Sequence, residues 1–154
     1  MRAEAEWLAL CLASESNEPR EWPLIAWVIR NRVESARYPE TYRGVVLQPK
    51  QFSYFNALTA GPENRSLELI WTEAMKGYAG DIYRRHSEEL TACARAVIQA
   101  PNWRRPFGPD VMHYYSPISM KPRGSAPAWA PKAKRLFTPS GIDPQRFVFA
   151  AGVP

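Results

Sequence analysis

Residues 7–33 read WLALCLASESNEPREWPLIAWVIRNRV, in which two apolar helical segments flank a short polar break. Before the break, Leu8, Cys11 and Glu15 recur at helical spacing, so the carboxylate of Glu15 continues an otherwise apolar helical face. A polar group that faces inward costs a few kcal/mol unless it forms a hydrogen bond. The stretch therefore predicts a special role for Glu15, and we take this residue as the chemical centre of the protein.

The second segment carries an apolar stripe that also ends in a polar side chain. Leu24, Trp27 and Val28 share one face of the predicted helix, and Asn31 continues that face. This helix is the most hydrophobic in the chain, so we expect it at the centre of the fold. Asn31 is expected either to bind a buried backbone group or to contact a bound ligand, and the residues leave both open.

Length and composition predict a single domain over residues 1–154, because a chain of this size buries roughly two-thirds of its unfolded surface. The six tryptophans and seven tyrosines are residues that line carbohydrate and peptide clefts as well as protein cores. The net charge of +5 and the pI near 9.4 favour an anionic partner. Nucleic acid and bacterial cell wall are both anionic, so charge alone does not choose between them.

Periodicity along the chain predicts a mainly helical, α+β fold with short β-strands near the C-terminus. Helices are predicted over residues 3–14, 21–33, 64–76 and 89–99. The other predicted segments are a helical turn at 44–47, an aromatic strand or loop at 51–56, a charged connection at 77–87, a strand at 111–115, and a hairpin of residues 135–138 and 145–150. The prolines concentrate in the last third, so the segment 101–131 is expected to be largely irregular.

Metal chemistry has little support in this sequence. The two histidines, His86 and His113, stand at no recognisable ligand spacing, so we expect no metal and no other cofactor. Cys11 and Cys93 each lie among apolar neighbours in a helical pattern. Such positions predict two buried free thiols.

Membrane insertion is not expected, because no apolar run approaches the roughly 20 residues that span a bilayer. Glu4 and Glu6 interrupt any apolar core near the N-terminus, so the sequence predicts no signal peptide and synthesis in the cytoplasm. A protein of this kind reaches the outside of the cell only when a separate system exports or releases it.

Six segments together carry a resemblance to a known family. They are ASESNEP (13–19), IAWVIRNRVESARYP (25–39), GVVLQPKQFS (44–53), MHYYSP (112–117), PAWA (127–130) and IDPQRFVF (142–149). In this order they resemble the bacterial cell wall hydrolases typified by spore cortex-lytic enzymes, whose members also occur as phage lysins. The resemblance implies a small lysozyme-like, mainly helical fold that cleaves the glycan strands of peptidoglycan.

The catalytic glutamate of that family lies in a stretch of the form AEARGEP, from which residues 13–19 depart. Direct alignment of Glu-Pro places Ser14 under the family's glutamate. A shorter loop over residues 16–22 places Glu15 there instead, and its Glu-Ser pair also resembles the motif that ends a helix in soluble lytic transglycosylases and goose-type lysozymes. The resemblance therefore implies Glu15 as the catalytic residue, with Glu18 as the alternative.

Cleavage of a β-1,4 glycosidic bond requires a proton at the leaving oxygen. A glutamate supplies that proton near neutral pH where an apolar setting raises its pKa, and the neighbours of Glu15 on its helix are expected to provide such a setting. The alternative for Glu15 is a solvated carboxylate or an ion pair with Arg30 or Arg32. No second carboxylate stands at an obvious matching position, although Glu73 and Asp110 stay open.

The missing second carboxylate favours lytic transglycosylase chemistry. In the enzymes this chain resembles, the 6-hydroxyl of N-acetylmuramic acid attacks, one glutamate serves as acid and then as base, and a 1,6-anhydro product forms. We therefore expect cleavage between N-acetylmuramic acid and N-acetylglucosamine. Two alternatives stay open, a muramidase (lysozyme) that uses water and a non-catalytic peptidoglycan-binding or virion protein, whereas nucleic-acid binding has only charge in its favour.

Residues outside the first two helices are expected to help bind the glycan strand. By resemblance, Gln51 and Ser53 are cleft residues, with turn capping as their alternative, and the histidine and two tyrosines of HYY would line the cleft opposite Glu15. The complete set of expected substrate-binding residues is Asn31, Gln51, Ser53, His113, Tyr114 and Tyr115.

The expected partner is the peptidoglycan glycan strand, bound by a monomer, with no nucleic acid. A basic cluster of Lys132, Lys134 and Arg135 is either a solvated face or a contact with the acidic wall. The expected lack of a signal peptide predicts a phage or prophage lysin, which is released at lysis or carried in the virion.

Overall fold

The computed structural model describes residues 2–49, 51–59 and 66–154, and these form seven α-helices followed by three β-strands. The helices are α1 (Glu4–Glu15), α2 (Trp22–Val33), α3 (Tyr42–Val46), α4 (Ser53–Thr59), α5 (Leu67–Ala74), α6 (Tyr78–Arg85) and α7 (Ser87–Gln99). The strands are β1 (Val111–Tyr115), β2 (Arg135–Phe137) and β3 (Val148–Ala151). The mainly helical, α+β class predicted from the sequence is confirmed.

The chain divides into two compact units, Met1–Pro101 and Asn102–Pro154. The first unit contains the described helices, and the second contains the strands together with short 3-10 turns. Each unit has apolar side chains buried in its own interior. The single catalytic domain over residues 1–154 stays a prediction.

Helix α1 lies at the centre of the first unit. Every residue from Trp7 to Ser14 is at most 7% exposed, and a helix that is apolar all round must be covered on all sides. It packs against α2, α3, α6 and α7. Helix α2 is buried in the same way from Ile25 to Arg32, so α1 and α2 share the central position that the sequence assigned to α2.

The segment predicted as an aromatic strand or loop is largely helical, because α4 begins at Ser53. Phe52 and Phe55 are both buried, and a separation of three residues places two side chains on the same side of a helical turn. The hydroxyl of Tyr54 donates a hydrogen bond to the carbonyl oxygen of Ala74 at 2.5 Å. In the sequence, the alternation of aromatic and polar residues matches the two-residue repeat of a strand. The buried side chains, Phe52 and Phe55, are instead three residues apart, as in a helix.

The charged connection predicted at 77–87 contains helix α6. The buried residues of α6 are Ala79 and Gly80. Because two small residues do not form a clear apolar stripe, this helix leaves no sign in the sequence. Asp81 lies in the first turn and two arginines lie in the last turn, which matches the sign of the helix dipole at each end. Of the predicted helix 64–76, α5 accounts for Leu67–Ala74, and residues 64 and 65 lie outside the described residues.

The sheet has the antiparallel order β1-β3-β2, and β2 and β3 form the predicted hairpin. Gly141, in the turn between them, has a φ of +86°, a conformation that glycine adopts at little cost. The register of β1 against β3 shifts between Val111 and His113. Successive side chains of a strand point to opposite faces, so His113 and Tyr115 share one face of β1.

Candidate active site

Glu15 is the last residue of α1 and the first partly exposed residue after the buried run from Trp7 to Ser14. The helix ends because Ser16 is extended, with a φ of −157° and a ψ of 144°, while its N–H still donates to the carbonyl oxygen of Leu12. The side chain of Ser14 points inward and donates to the carbonyl oxygen of Cys11 at 2.7 Å. The carboxylate of Glu15 is therefore the first polar group that leaves the core at this helix end.

Two protonated groups lie within electrostatic range of the Glu15 carboxylate. Burial raises the pKa of the Cys11 thiol well above its usual range, and the negative charge of Glu15 raises it further. Burial, followed by the charge of Glu15, also raises the pKa of Tyr78. The hydroxyl of Tyr78 donates to the carbonyl oxygen of Ser14 at 2.8 Å. The surroundings of Glu15 thus combine a buried thiol with a neutral phenol.

The turn after Glu15 is held by a compact set of hydrogen bonds around Ser16. The hydroxyl of Ser16 donates to Oε1 of Glu21 at 2.5 Å and accepts from the N–H of Glu18 at 2.9 Å. Its carbonyl oxygen accepts from Nε1 of Trp22 at 2.8 Å. Glu21 is only 3% exposed. These bonds tie the end of α1 to the start of α2, so the backbone that carries Glu15 is fixed.

The alternative catalytic residue, Glu18, has different surroundings. Its carboxylate forms an ion pair with Arg20 at 3.4 Å, in which Arg20 is largely exposed and Glu18 is partly exposed. Exposed ion pairs of this kind contribute little to stability. Glu15 and Glu18 therefore lie on the same short segment, but only for Glu15 do the buried thiol of Cys11 and the hydroxyl of Tyr78 show an electrostatic interaction.

Among the residues expected to bind substrate, the structure connects Gln51 to the core near Glu15. Nη1 of Arg32 donates to Oε1 of Gln51 at 3.1 Å, and Arg32 is 5% exposed. The positive charge of Arg32 also lowers the pKa of Cys11, against the larger effect of burial. The buried guanidinium of Arg32 thus contacts the exposed side chain of Gln51 directly. It also lies within electrostatic range of Cys11, and Cys11 in turn interacts with Glu15.

Asn31 and Ser53 are placed differently from one another. Asn31 is 2% exposed within α2, which favours the buried hydrogen-bonding role over direct contact with a ligand. Ser53 is exposed and begins α4. Both remain predictions as substrate-binding residues.

The HYY residues divide between the two faces of β1 in the second unit. His113 and Tyr115 both contact Trp129, with ring centroids 5.1 Å and 5.8 Å apart. Tyr114 packs on the other face against Phe147 and Phe149. The structure therefore brings His113 and Tyr115 together and separates Tyr114 from them, as the alternation of a strand requires.

The two carboxylates considered as possible partners for Glu15 have other surroundings. Glu73 forms an ion pair with Lys76 at 2.9 Å. Asp110 is exposed and belongs to the second unit. No sequence pattern singled out Glu21, which is buried at the start of α2 and accepts a hydrogen bond from Ser16.

The cysteines and the arrangement of potential metal ligands complete the description of the site. Cys11 and Cys93 are free thiols, and Cys11 is buried as the sequence predicts, whereas Cys93 is only half-buried, because it lies at the edge of the buried face of α7. Within the described residues, no group of three or more His, Cys, Asp or Glu side chains is arranged to hold a metal ion. None of the helices in the described part of the chain combines the length and hydrophobicity needed to cross a membrane.

Sequence reasoning did not single out Tyr78, and it considered Arg32 only as a partner of Glu15. Tyr78 meets α1 across a sequence separation of 64 residues, and Arg32 meets Gln51 across 19. No local pattern in the sequence marks contacts of that range.

A family model described as Cell Wall Hydrolase matches residues 18–138 of the chain. The matched range begins after Glu15 and includes Asn31, Gln51 and the HYY residues. No curated protein and no solved structure matches the chain significantly.

Proposed function

The chain belongs to the cell wall hydrolase family, and we propose that it is a lytic transglycosylase with Glu15 as its acid and base. The substrate is the peptidoglycan glycan strand, and the cleaved bond is the β-1,4 bond between N-acetylmuramic acid and N-acetylglucosamine. Family membership supports an enzyme that acts on peptidoglycan, and the surroundings of Glu15 support the finer assignment.

The position of Glu15 is the observation that supports this role most directly. Its carboxylate leaves the core at the end of α1, beside the buried thiol of Cys11 and the hydroxyl of Tyr78. A general acid must come within hydrogen-bond reach of the substrate atom that it protonates, and a partly exposed side chain at the end of a helix can do so. Ser14, the residue that direct alignment places under the family's glutamate, is buried and donates its hydroxyl to the backbone, so it has no proton to offer to a substrate.

The reaction needs one carboxyl group and no water. Glu15 in its protonated form donates its proton to the glycosidic oxygen, and the bond from that oxygen to C1 of N-acetylmuramic acid breaks as positive charge develops on the ring. The 6-hydroxyl oxygen of the same sugar then bonds to C1, and its proton passes to the Glu15 carboxylate. Glu15 ends protonated as it began, and the products are a 1,6-anhydro sugar end and a free 4-hydroxyl.

Residues near Glu15 position the strand and the acid. The buried guanidinium of Arg32 orients Gln51, whose exposed amide is available to a sugar hydroxyl. The hydrogen bonds of Ser16 fix the turn after Glu15. Catalytic groups must be held within a fraction of an ångström of their working geometry, which is the role we assign to this turn.

Mass spectrometry of the fragments released from purified peptidoglycan tests the proposal. The wild type and the Glu15→Gln, Glu18→Gln and Ser14→Ala variants are compared on the same substrate. Glutamine keeps the shape of glutamate and has no acidic proton, so Glu15→Gln is expected to lower kcat at least about 100-fold. Glu18→Gln is the matched control, because it removes a partly exposed carboxylate from the same segment, and it is expected to keep activity near that of the wild type.

The products separate this proposal from its rivals. Anhydromuramyl ends that disappear in Glu15→Gln support the transglycosylase, whereas reducing muramic acid ends would make the protein a water-using muramidase. Loss of activity in Glu18→Gln alone would move the catalytic role to Glu18. No release by any of the proteins, over several wall types, would leave a peptidoglycan-binding or virion protein as the better account. Action as a phage or prophage lysin stays a prediction from the sequence, as does the monomeric state.

A further inference from the structure

The second unit contains a recess of about 670 Å³ that the proposed reaction does not use. Phe107 and Phe137 line it, with ring centroids 6.0 Å apart. Beneath them lies Phe149, at 5.7 Å from Phe107 and 6.1 Å from Phe137. Phe149 is buried and packs against both of the rings that line the recess. Its volume falls within the range of pockets that hold small ligands.

Two cations, Lys134 and Arg135, line the recess, and both side chains have contacts with neighbouring residues. Arg135 and Phe137 share a face of β2, and the guanidinium lies 4.4 Å from the centroid of the ring. The N–H of Lys134 donates to the carbonyl oxygen of Ala151 at 2.9 Å. The aliphatic part of Lys134 lies across Gly152, where an added Cβ would come within 2.7 Å of its Cγ and Cδ. These contacts limit where the two charges can point.

A carboxylate lines the same recess. Asp110 precedes β1, and its carbonyl oxygen accepts from the N–H of Gly152 at 3.2 Å. Over the described ranges 2–49, 51–59 and 66–154, no ion pair joins Asp110 to Lys134 or to Arg135. The recess therefore presents two positive charges and one negative charge that are separately available to a ligand.

We infer that this recess binds the peptide stems of peptidoglycan through their free carboxylates and their free ammonium group. The inference rests on the proposed function, because it takes the glycan strand that carries those stems as the substrate. A carboxylate of the stem would pair with Arg135 and Lys134, and the side-chain ammonium of a diamino acid would pair with Asp110. Phe107 and Phe137 would cover the methyl and methylene groups of the peptide.

A peptide stem carries both carboxylates and an ammonium group, and this mixture of charges distinguishes it from the other anions of the cell wall. A phosphate polymer carries no positive charge of its own in its backbone, so it would gain from Arg135 and Lys134 but meet repulsion from Asp110. A group with both signs of charge satisfies all three side chains. Charge-assisted hydrogen bonds are about twice as strong as neutral ones, so each of the three contacts is expected to be measurable.

Calorimetric titration with the full chain tests this binding without cleavage. The protein carries Glu15→Gln, and the probe is a muramoyl tetrapeptide whose third residue is lysine, in its native form and with the lysine amine acetylated. Arg135→Ala is expected to raise the Kd of the native probe about tenfold, as is acetylation of the probe. Lys132→Ala is the matched control, because it removes an exposed cation near the recess that does not line it, and no change is expected.

A double-mutant cycle assigns the ammonium contact. In Asp110→Asn, acetylation of the probe should no longer weaken binding, because the carboxylate that recognises the amine is gone. Equal binding of the native and acetylated probes by the parent protein would overturn the inference. So would tighter binding of the native probe by Asp110→Asn, since that result would indicate a simple anion site.

Cleavage assays with the Arg135→Ala variant in an otherwise wild-type chain keep the two proposals apart. The wild type is expected to show a KM about tenfold lower for intact peptidoglycan than for strands from which an amidase has removed the stems. Arg135→Ala should show equal KM values for the two and an unchanged kcat. Equal KM values in the wild type would overturn the stem site and leave the proposed cleavage intact. Absence of cleavage by the wild type on both substrates would overturn the proposed function. The calorimetric result would then still decide whether the stem site exists.

Discussion

The hydroxyl of Tyr78 lies 2.8 Å from the carbonyl oxygen of Ser14 and donates a hydrogen bond to it. This contact joins the first residue of α6 to the residue before Glu15. The last carbonyl groups of a helix have no partner within the helix, so Tyr78 supplies one of the bonds that α1 lacks. It also places a phenol beside the carboxylate to which we assign the chemistry.

Replacement of Tyr78 by phenylalanine tests this relationship. Tyr78→Phe removes the hydroxyl and keeps the ring, which contacts Tyr54 at 4.9 Å. We expect the free energy of unfolding to fall by about 1 kcal/mol and kcat on peptidoglycan to fall more than KM changes. Tyr83→Phe is the control, because Tyr83 lies on the same helix and makes a ring contact with Trp71. Wild-type stability and activity in Tyr78→Phe would contradict the role given to the hydroxyl.

The hydrogen bonds of Ser16 predict a larger loss of stability. Ser16→Ala removes the donor to buried Glu21 and the acceptor for the N–H of Glu18. Loss of a partner by a buried charged group costs about 2 kcal/mol or more, so urea denaturation should show a lower midpoint with an unchanged m-value. Ser119→Ala, at an exposed position, should change the free energy of unfolding by less than about 0.5 kcal/mol. Equal effects of the two substitutions would refute this account of the turn.

Gly80 is expected to tolerate no side chain. A Cβ added there would lie 2.0 Å from the carbonyl oxygen of Met75, and this backbone atom cannot move aside easily. Gly80→Ala should therefore destabilise the protein by about 1–3 kcal/mol, as overpacking does, despite the higher helix propensity of alanine. In the control, Gly108→Ala, the new Cβ meets the carboxylate of exposed Asp110 at 2.7 Å, which can rotate away. Thermal unfolding of both variants measures the difference.

Stability is expected to fall in alkaline solution. Burial raises the pKa of Cys93 from 9.0 to about 11, and burial also raises the pKa values of Cys11, Tyr54 and Tyr78. The folded state thus keeps protons that the unfolded state releases, so stability is fully present below the pKa of the unfolded thiol and falls as pH rises through that of the folded thiol. For Cys93 this window runs from pH 9.0 to about 11.

Urea denaturation at several pH values across that window measures the effect. The free energy of unfolding should decrease with rising pH in the wild type and decrease less steeply in Cys93→Ala, which has no thiol to titrate at this position. A stability profile that is flat or rises over the window would show that the thiols and phenols do not titrate as their burial implies.

Local pattern was sufficient for the longest elements of the fold. The apolar face that ends in Glu15 predicted α1 to within a residue at each end, and the same kind of stripe predicted α2 and α7. The strand 111–115 was also predicted with its bounds. These elements depend on hydrogen bonds and side-chain spacings within a few residues.

The misassigned elements are short and owe their form to packing. Helix α6 buries only Ala79 and Gly80 along its length, and α4 follows an aromatic pair whose helical spacing was hidden by alternating polar residues. Short helices are marginal on their own. Contacts with α1 and α5 stabilise them, and the sequence does not display such contacts.

The sequence by itself determined that a carboxylate would end an apolar helix at Glu15, because helix periodicity and helix termination are local. Only the tertiary structure decided what surrounds that carboxylate. Tyr78 comes to it from 64 residues beyond Ser14, and Arg32 reaches from α2 to Gln51. The strength of a charge interaction depends on burial and on the groups nearby in space, and both are set when the helices pack.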